Sequence, residues 1–144
     1  MKILIINGPN LNMLGKREKD TYGSDTLEEI NNGLLKLAES LKIEIAFFQS
    51  NAEHDLVSKI QESMNDFDAL VINPGAFTHT SISIRDAILA VDKPFYEVHI
   101  SNIFNREEFR QKSYFSDLAV GVISGLGASG YQYALEHAVK NLKK

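Results

Sequence analysis

The fold class predicted from the sequence is α/β: a flavodoxin-like three-layer sandwich on a five-stranded parallel sheet, order 2-1-3-4-5, with right-handed crossovers. Three observations predict it. Five short, β-rich apolar runs alternate with segments of helical period, as in a sheet with helices on both faces. Several of these runs are apolar at consecutive positions, which marks strands buried on both sides and hence parallel pairing. The length of 144 residues suits one such unit, so residues 1–144 are expected to form a single domain.

The first strand is Ile3–Ile6, which follows Lys2 directly and stops at Asn7-Gly8-Pro9, too short for a secretory signal. After Asn10 come about seventeen residues before a helix is under way, a length that is uncommon without a lid or binding role. That segment carries Arg17 and Tyr22 between Gly15 and Gly23, whose backbone freedom suits a lid; a solvated surface loop is the other reading. Leu27, Ile30, Leu34, Leu37 and Leu41, spaced 3, 4, 3, 4, then draw one apolar stripe on a helix, with Asp25 as cap and Glu28 three residues on. The second strand is Ile43–Phe48, followed by a helix marked by Leu56, Ile60 and Met64. The third strand, Ala69–Ile72, leads to a helix with Ile84, Ala87, Ile88 and Val91 inward. Phe95–Ile100 and Ala119–Ile123 are the last two strands. The terminal helix buries Tyr131, Leu135, Ala138 and Leu142.

Composition excludes several classes of function. Hydrophobic residues make up 44% and charged residues 24%, near the averages for globular proteins. The longest apolar runs fall far short of the roughly 20 residues of a membrane span, so no membrane partner is expected. With 19 acidic against 15 basic residues the net charge is −4, without the basic footprint of nucleic-acid binding. The absence of cysteine excludes disulfides, thiolate metal sites and cysteine nucleophiles, and fits cytoplasmic residence.

In a 2-1-3-4-5 sheet the crevice opens beyond the carboxyl ends of strands 1 and 3. The run from Asn73 to Ser81 puts an amide and the imidazole of His79 there, with Thr80 or Ser81 suited to capping the next helix. On strand 4, Glu97, His99 and Ser101 are two apart and share one side of an otherwise apolar run. Burying them without partners costs several kcal/mol, so either they are hydrogen-bonded or the strand is an edge with a wet face. A carboxylate beside an imidazole fixes its tautomer and suits a general acid. Three of the four arginines, Arg17, Arg106 and Arg110, fall in these segments, and a guanidinium fork suits anionic and hydroxyl oxygens. A surface ion pair with Glu107 or Glu108 is the plainer use of Arg106 or Arg110.

Gly125-Leu126-Gly127-Ala128-Ser129-Gly130 matches the dinucleotide fingerprint G-x-G-x-x-G, but the chain ends 14 residues later, without the following strand and acidic residue. Those glycines read instead as a tight turn with close helix packing. A flavodoxin-like nucleotide- or phosphate-binding module is the principal rival reading, weakened by Pro9, which removes a donor from the first loop. A phosphoacceptor module would need an aspartate where Asn73 stands. A metal-dependent hydrolase or lyase using His79, His99, Glu97 or Asp86 lacks an H-E-x-x-H spacing.

Asn7-Gly8-Pro9-Asn10-Leu11-Asn12-Met13-Leu14-Gly15, with Arg17-Glu18 and Tyr22-Gly23, closely resembles the opening signature of the type II 3-dehydroquinate dehydratases. The resemblance continues through Phe48-Gln49-Ser50-Asn51, Asn73-Pro74, Thr78-His79-Thr80-Ser81, Arg85-Asp86-Ala87, Glu97-Val98-His99-Ile100-Ser101-Asn102, Arg106 to Arg110 and Gly125 to Tyr131. It departs from the family's usual residues at Lys19, His54, Phe77 and Asp117. The resemblance implies a lyase needing no cofactor and no metal, which eliminates water anti from 3-dehydroquinate through an enolate to give 3-dehydroshikimate. Tyr22 would be the base, Arg17 the lid cation supporting its ionised form, and His99 the acid, oriented by Glu97. Asn10 would help hold the enolate-stabilising water. The substrate carboxylate would meet Ser101 and the backbone at Ile100, and the ring hydroxyls Asn73, His79 and Arg110. The family further implies a homo-dodecamer, four trimers, in which Asp86 reaches a neighbouring subunit's site.

Such chemistry makes a physical demand. A free phenol ionises near pH 10, so a tyrosine base at neutrality needs about 4 kcal/mol of help, and burial alone opposes it. A cation must supply the difference.

Overall fold

The computed structural model describes residues 1–144. Five strands, β1 (Lys2–Asn7), β2 (Glu44–Gln49), β3 (Ala69–Asn73), β4 (Phe95–His99) and β5 (Gly121–Ser124), form one sheet of order β2-β1-β3-β4-β5, all pairs parallel. The helices are a short α1 (Lys19–Tyr22), then α2 (Leu27–Leu41), α3 (Glu53–Glu62), α4 (Ile82–Val91) and α5 (Ser129–Leu142). The expected order and class are found, and β4 lies inside the sheet rather than at its edge.

Alternation along the strands divides the core into two layers. Ile3, Ile5, Val71, Tyr96 and Val98 face one side and pack with Leu34 of α2 and Tyr131, Leu135 and Ala138 of α5. Leu4, Ile6, Leu70, Ile72 and Phe95 face the other and pack with Leu56 and Ile60 of α3 and Ile84 and Ile88 of α4. Consecutive apolar residues are thus needed on β1 and β3 because each face is covered. No helix is long and apolar enough to cross a membrane.

Several boundaries differ from expectation. The cap of α2 is Thr26, whose hydroxyl accepts from the Glu29 amide, not Asp25. Helix α3 stops at Glu62, and Met64 lies beyond it and is exposed. β4 ends at His99, one residue before Ile100, and β5 starts at Gly121 rather than Ala119. Ser81 does cap α4, accepting from the Ile84 amide.

At the carboxyl ends of β1 and β3 the following loops touch backbone to backbone. A Cβ on Gly8 would collide with the Pro74 carbonyl oxygen, and Gly75 holds φ +58° against Pro9. Gly125 at φ +90° likewise turns the chain after β5, and a Cβ on Gly130 would press on Ile123 and Val98. Gly125 and Gly130 thus permit a turn and close packing, the use expected for that run.

Candidate active site

One cleft opens where the loops after β1, β3 and β4 converge. It is lined by Asn10, Arg17 and Tyr22 from the first loop, Asn73 at the end of β3 and His79 from the loop after it, and His99 at the end of β4 with Ile100, Ser101, Arg106 and Arg110 beyond it. Two expected site residues do not line it. Glu97 is fully buried behind His99, and Asp86 is exposed on α4 beside Arg85.

The segment after β1 is built to carry its side chains inward. Asn10 takes the left-handed conformation, φ 67°, and its amide donates to Asn51 Oδ1. Gly15 and Gly23 both have positive φ, so the chain turns on either side of Arg17 and the single helical turn α1 that ends at Tyr22. The Arg17 guanidinium donates to the Tyr22 hydroxyl at 3.4 Å and lies 4.4 Å from the ring centroid. Arg106 approaches the same ring from the other loop, 5.2 Å from its centroid. Two guanidinium groups therefore flank one phenol, and the Arg17 group also pairs with the Glu18 carboxylate at 3.1 Å.

On β4, His99 Nε2 meets Glu97 Oε2 at 2.9 Å, with the carboxylate wholly buried and the imidazole 5% exposed. Ser116 Oγ donates to the same oxygen at 2.7 Å and Ser113 Oγ to the other at 2.8 Å. Burial pushes the Glu97 carboxyl up, but the His99 bond and the two serine hydroxyls outweigh it and hold the group ionised below its ordinary range. A carboxylate only accepts, so Nε2 carries a proton, and Nδ1 is the ring nitrogen left without a protein partner. The Ser113–Asp117 turn is fastened by Arg85, whose fork meets both oxygens of Asp117 and the Tyr114 carbonyl.

Because the folded Glu97 carboxyl loses its proton more readily than an unfolded one, its stabilising contribution is present above the usual carboxylate range. It is lost as pH falls through the folded value. Glu97→Gln is expected to flatten the fall in Tm on acidification, measured by thermal melts across the acid range. An equally steep fall in that variant would contradict the assignment.

His79 differs from His99 in its chemistry. Its Nδ1 meets the Lys112 carbonyl at 2.7 Å, and since a carbonyl only accepts, Nδ1 bears the hydrogen. Burial lowers its pKa first of all, aided by His99 and Arg110 and opposed by the Lys112 bond. Neutral His79 thus offers Nε2 as an acceptor. Ser101 Oγ accepts from Arg106 at 3.2 Å, while Arg110 pairs with Glu107 at 2.7 Å and still lines the cleft.

Arg106, Ser113 and Ser116 were not assigned these contacts by sequence reasoning. Arg106 was signalled only as one of two arginines in a charged segment. The serines carried no signal, because their bonds to Glu97 span 16 and 19 residues.

Comparison with known proteins points one way. The Dehydroquinase class II family model matches residues 1–139. A 3-dehydroquinate dehydratase of Pseudoalteromonas translucida is 58% identical over 142 residues, spanning 99% of this chain and 95% of that protein. One from Hydrogenovibrio crunogenus is 59% identical over 141 residues, 98% of each chain. Among solved structures, the type II dehydroquinase of Butyrivibrio crossotus superposes with a TM-score of 0.94 at 46% identity, covering 97% of both chains.

Proposed function

The chain belongs to the class II dehydroquinase family, a hydro-lyase family of 3-dehydroquinate dehydratases, and from that membership we propose how its cleft removes water from 3-dehydroquinate. The observation that carries the reading is one cleft holding a phenol against a guanidinium and an imidazole against a buried carboxylate. They are a base and an acid of different kinds, one on the segment after β1 and the other at the end of β4.

Tyr22, as phenolate, takes the C2 proton of 3-dehydroquinate, and the electron pair moves onto the C3 carbonyl to give an enolate. Arg17 supports the phenolate, and Asn10 helps hold the water that stabilises the enolate oxygen. The enolate collapses, the C1–oxygen bond breaks, and His99 gives its Nδ1 proton to the departing hydroxyl, so that water and 3-dehydroshikimate leave. Glu97 keeps the imidazole oriented and supports its charge. The elimination is anti, with base and acid on opposite faces of the ring.

Ser101 and the Ile100 backbone receive the substrate carboxylate, and Asn73, His79 and Arg110 receive the ring hydroxyls. No metal and no cofactor takes part. The step belongs to the shikimate pathway, toward chorismate and the aromatic amino acids, in the cytoplasm. The working enzyme is a homo-dodecamer, a tetramer of trimers, in which the exposed Asp86 reaches a neighbouring subunit's site.

The test mixes the protein with 3-dehydroquinate after exhaustive chelation and follows the ultraviolet band of the conjugated enone product. Growth of the band is expected. A flat trace, restored by added divalent metal, would refute the metal-free reaction, and a flat trace under every condition would refute the function.

A further inference from the structure

Beneath the cleft, Asn73 ends a hydrogen-bonded chain whose other members, Tyr131 and Asn7, have no part in the reaction above. Asn7 and Asn73 are register partners at the carboxyl ends of β1 and β3. Both side chains sit on the α5 side of the sheet, in line with Ile5 and Val71. Tyr131, in the first turn of α5, reaches between them and is wholly buried, as Asn7 and Asn73 nearly are, at 1% and 4% exposed. Its hydroxyl bonds Asn7 Oδ1 at 2.5 Å and Asn73 Nδ2 at 2.8 Å.

A phenol has one proton to give. Asn7 Oδ1 can only accept, so that proton goes to Asn7, and Tyr131 must accept from Asn73. The Asn73 amide therefore turns its nitrogen to Tyr131, while its oxygen accepts from the Gly75 amide at 3.2 Å. One N–H of Asn73 remains uncommitted, and Asn73 lines the cleft. Burial pushes the Tyr131 hydroxyl far above the usual phenol range, so it stays protonated at every working pH.

We propose that Tyr131, backed by Asn7, is a positioning residue that fixes the rotation of the Asn73 amide so that Asn73 meets the substrate as a hydrogen-bond donor. This rests on the reading of Asn73 as a substrate contact. Neutral His79 supplies an acceptor on the same loop, so the β3 loop presents one donor and one acceptor to the ring hydroxyls. A ring hydroxyl at Asn73 is thereby held as the acceptor of that bond, which makes Tyr131 a determinant of how the ring hydroxyls are oriented in the cleft.

The test is a double-mutant cycle on KM and kcat with 3-dehydroquinate, using Tyr131→Phe, Asn73→Ala and the double variant, with Tm recorded for each. Tyr131→Phe keeps the ring and removes only the hydroxyl. It is expected to raise KM about fivefold, the worth of one hydrogen bond of about 1 kcal/mol, with kcat close to wild type. In the Asn73→Ala background the same change is expected to leave KM unaltered. An unchanged KM on Asn73→Ala would overturn the substrate-contact reading itself. A raised KM there, combined with an equal Tyr131→Phe effect in both backgrounds, would overturn the positioning role alone, as would no KM effect from Tyr131→Phe. Should Tyr131→Phe not fold, Asn7→Ala enters the same cycle, because it frees the phenol proton and lets the amide turn over. Its KM effect must also vanish without Asn73.

Discussion

Tyr22→Phe is expected to lower kcat by about two to four orders of magnitude, the usual contribution of a positioned acid or base, while KM and the affinity for an unreactive substrate analogue change little. The substitution removes one oxygen. The ring, its burial and its stacking with Arg17 and Arg106 persist, since both guanidinium groups lie over the ring and only Arg17 bonds the hydroxyl. Loss of turnover without loss of binding is the signature of a group that acts only in the transition state. Steady-state kinetics with an analogue titration decide it, and turnover near wild type would remove Tyr22 as the base.

His99→Gln is expected to lower kcat by about two to three orders of magnitude, with a smaller rise in KM. Glutamine is the informative replacement because its amide still donates toward Glu97. Alanine would leave a wholly buried carboxylate with only Ser113 and Ser116, adding a stability loss unrelated to chemistry. The leaving hydroxyl still departs slowly by taking a proton from water, so some turnover survives. A substrate analogue with a better leaving group at the same carbon should recover most of the rate, and kinetics with that analogue provide the check. Equal losses with both substrates would point to a structural role for His99 instead.

Legibility in the sequence tracked how local each signal was. Parallel pairing followed from runs such as Ile3–Ile6 and Ala69–Ile72, whose unbroken apolar character arises from helices on both faces of β1 and β3. The cap of α2 was ambiguous because Asp25 with Glu28 and Thr26 with Glu29 are the same capping pattern in adjacent registers, and backbone geometry selects the second. Gln49, Asn73 and Ser124 close their strands with a polar residue, where apolar counting stops short.

The cleft was legible where one segment carries both partners. Arg17 and Tyr22 are five residues apart, and Glu97 and His99 two. Contacts across the sheet were not legible. The Tyr131 bond to Asn7 spans 124 residues, and nothing in a buried aromatic at helical spacing distinguishes a core residue from one that orients an amide. Arg106 and Arg110 differ by four positions, and only the turn at Glu107–Gln111 decides that Arg106 faces the Tyr22 ring while Arg110 pairs with Glu107.

The most direct measurement of the central claim, that guanidinium charge makes Tyr22 a base, is the effect of Arg17→Ala on kcat with and without the Tyr22 hydroxyl. In the wild-type background a factor of about 10 to 100 is expected, since Arg106 remains over the ring. In the Tyr22→Phe background, where no phenolate is left to support, the same substitution should change kcat by less than about threefold. An equal factor in both backgrounds would mean that Arg17 acts elsewhere, and the phenolate mechanism would not stand.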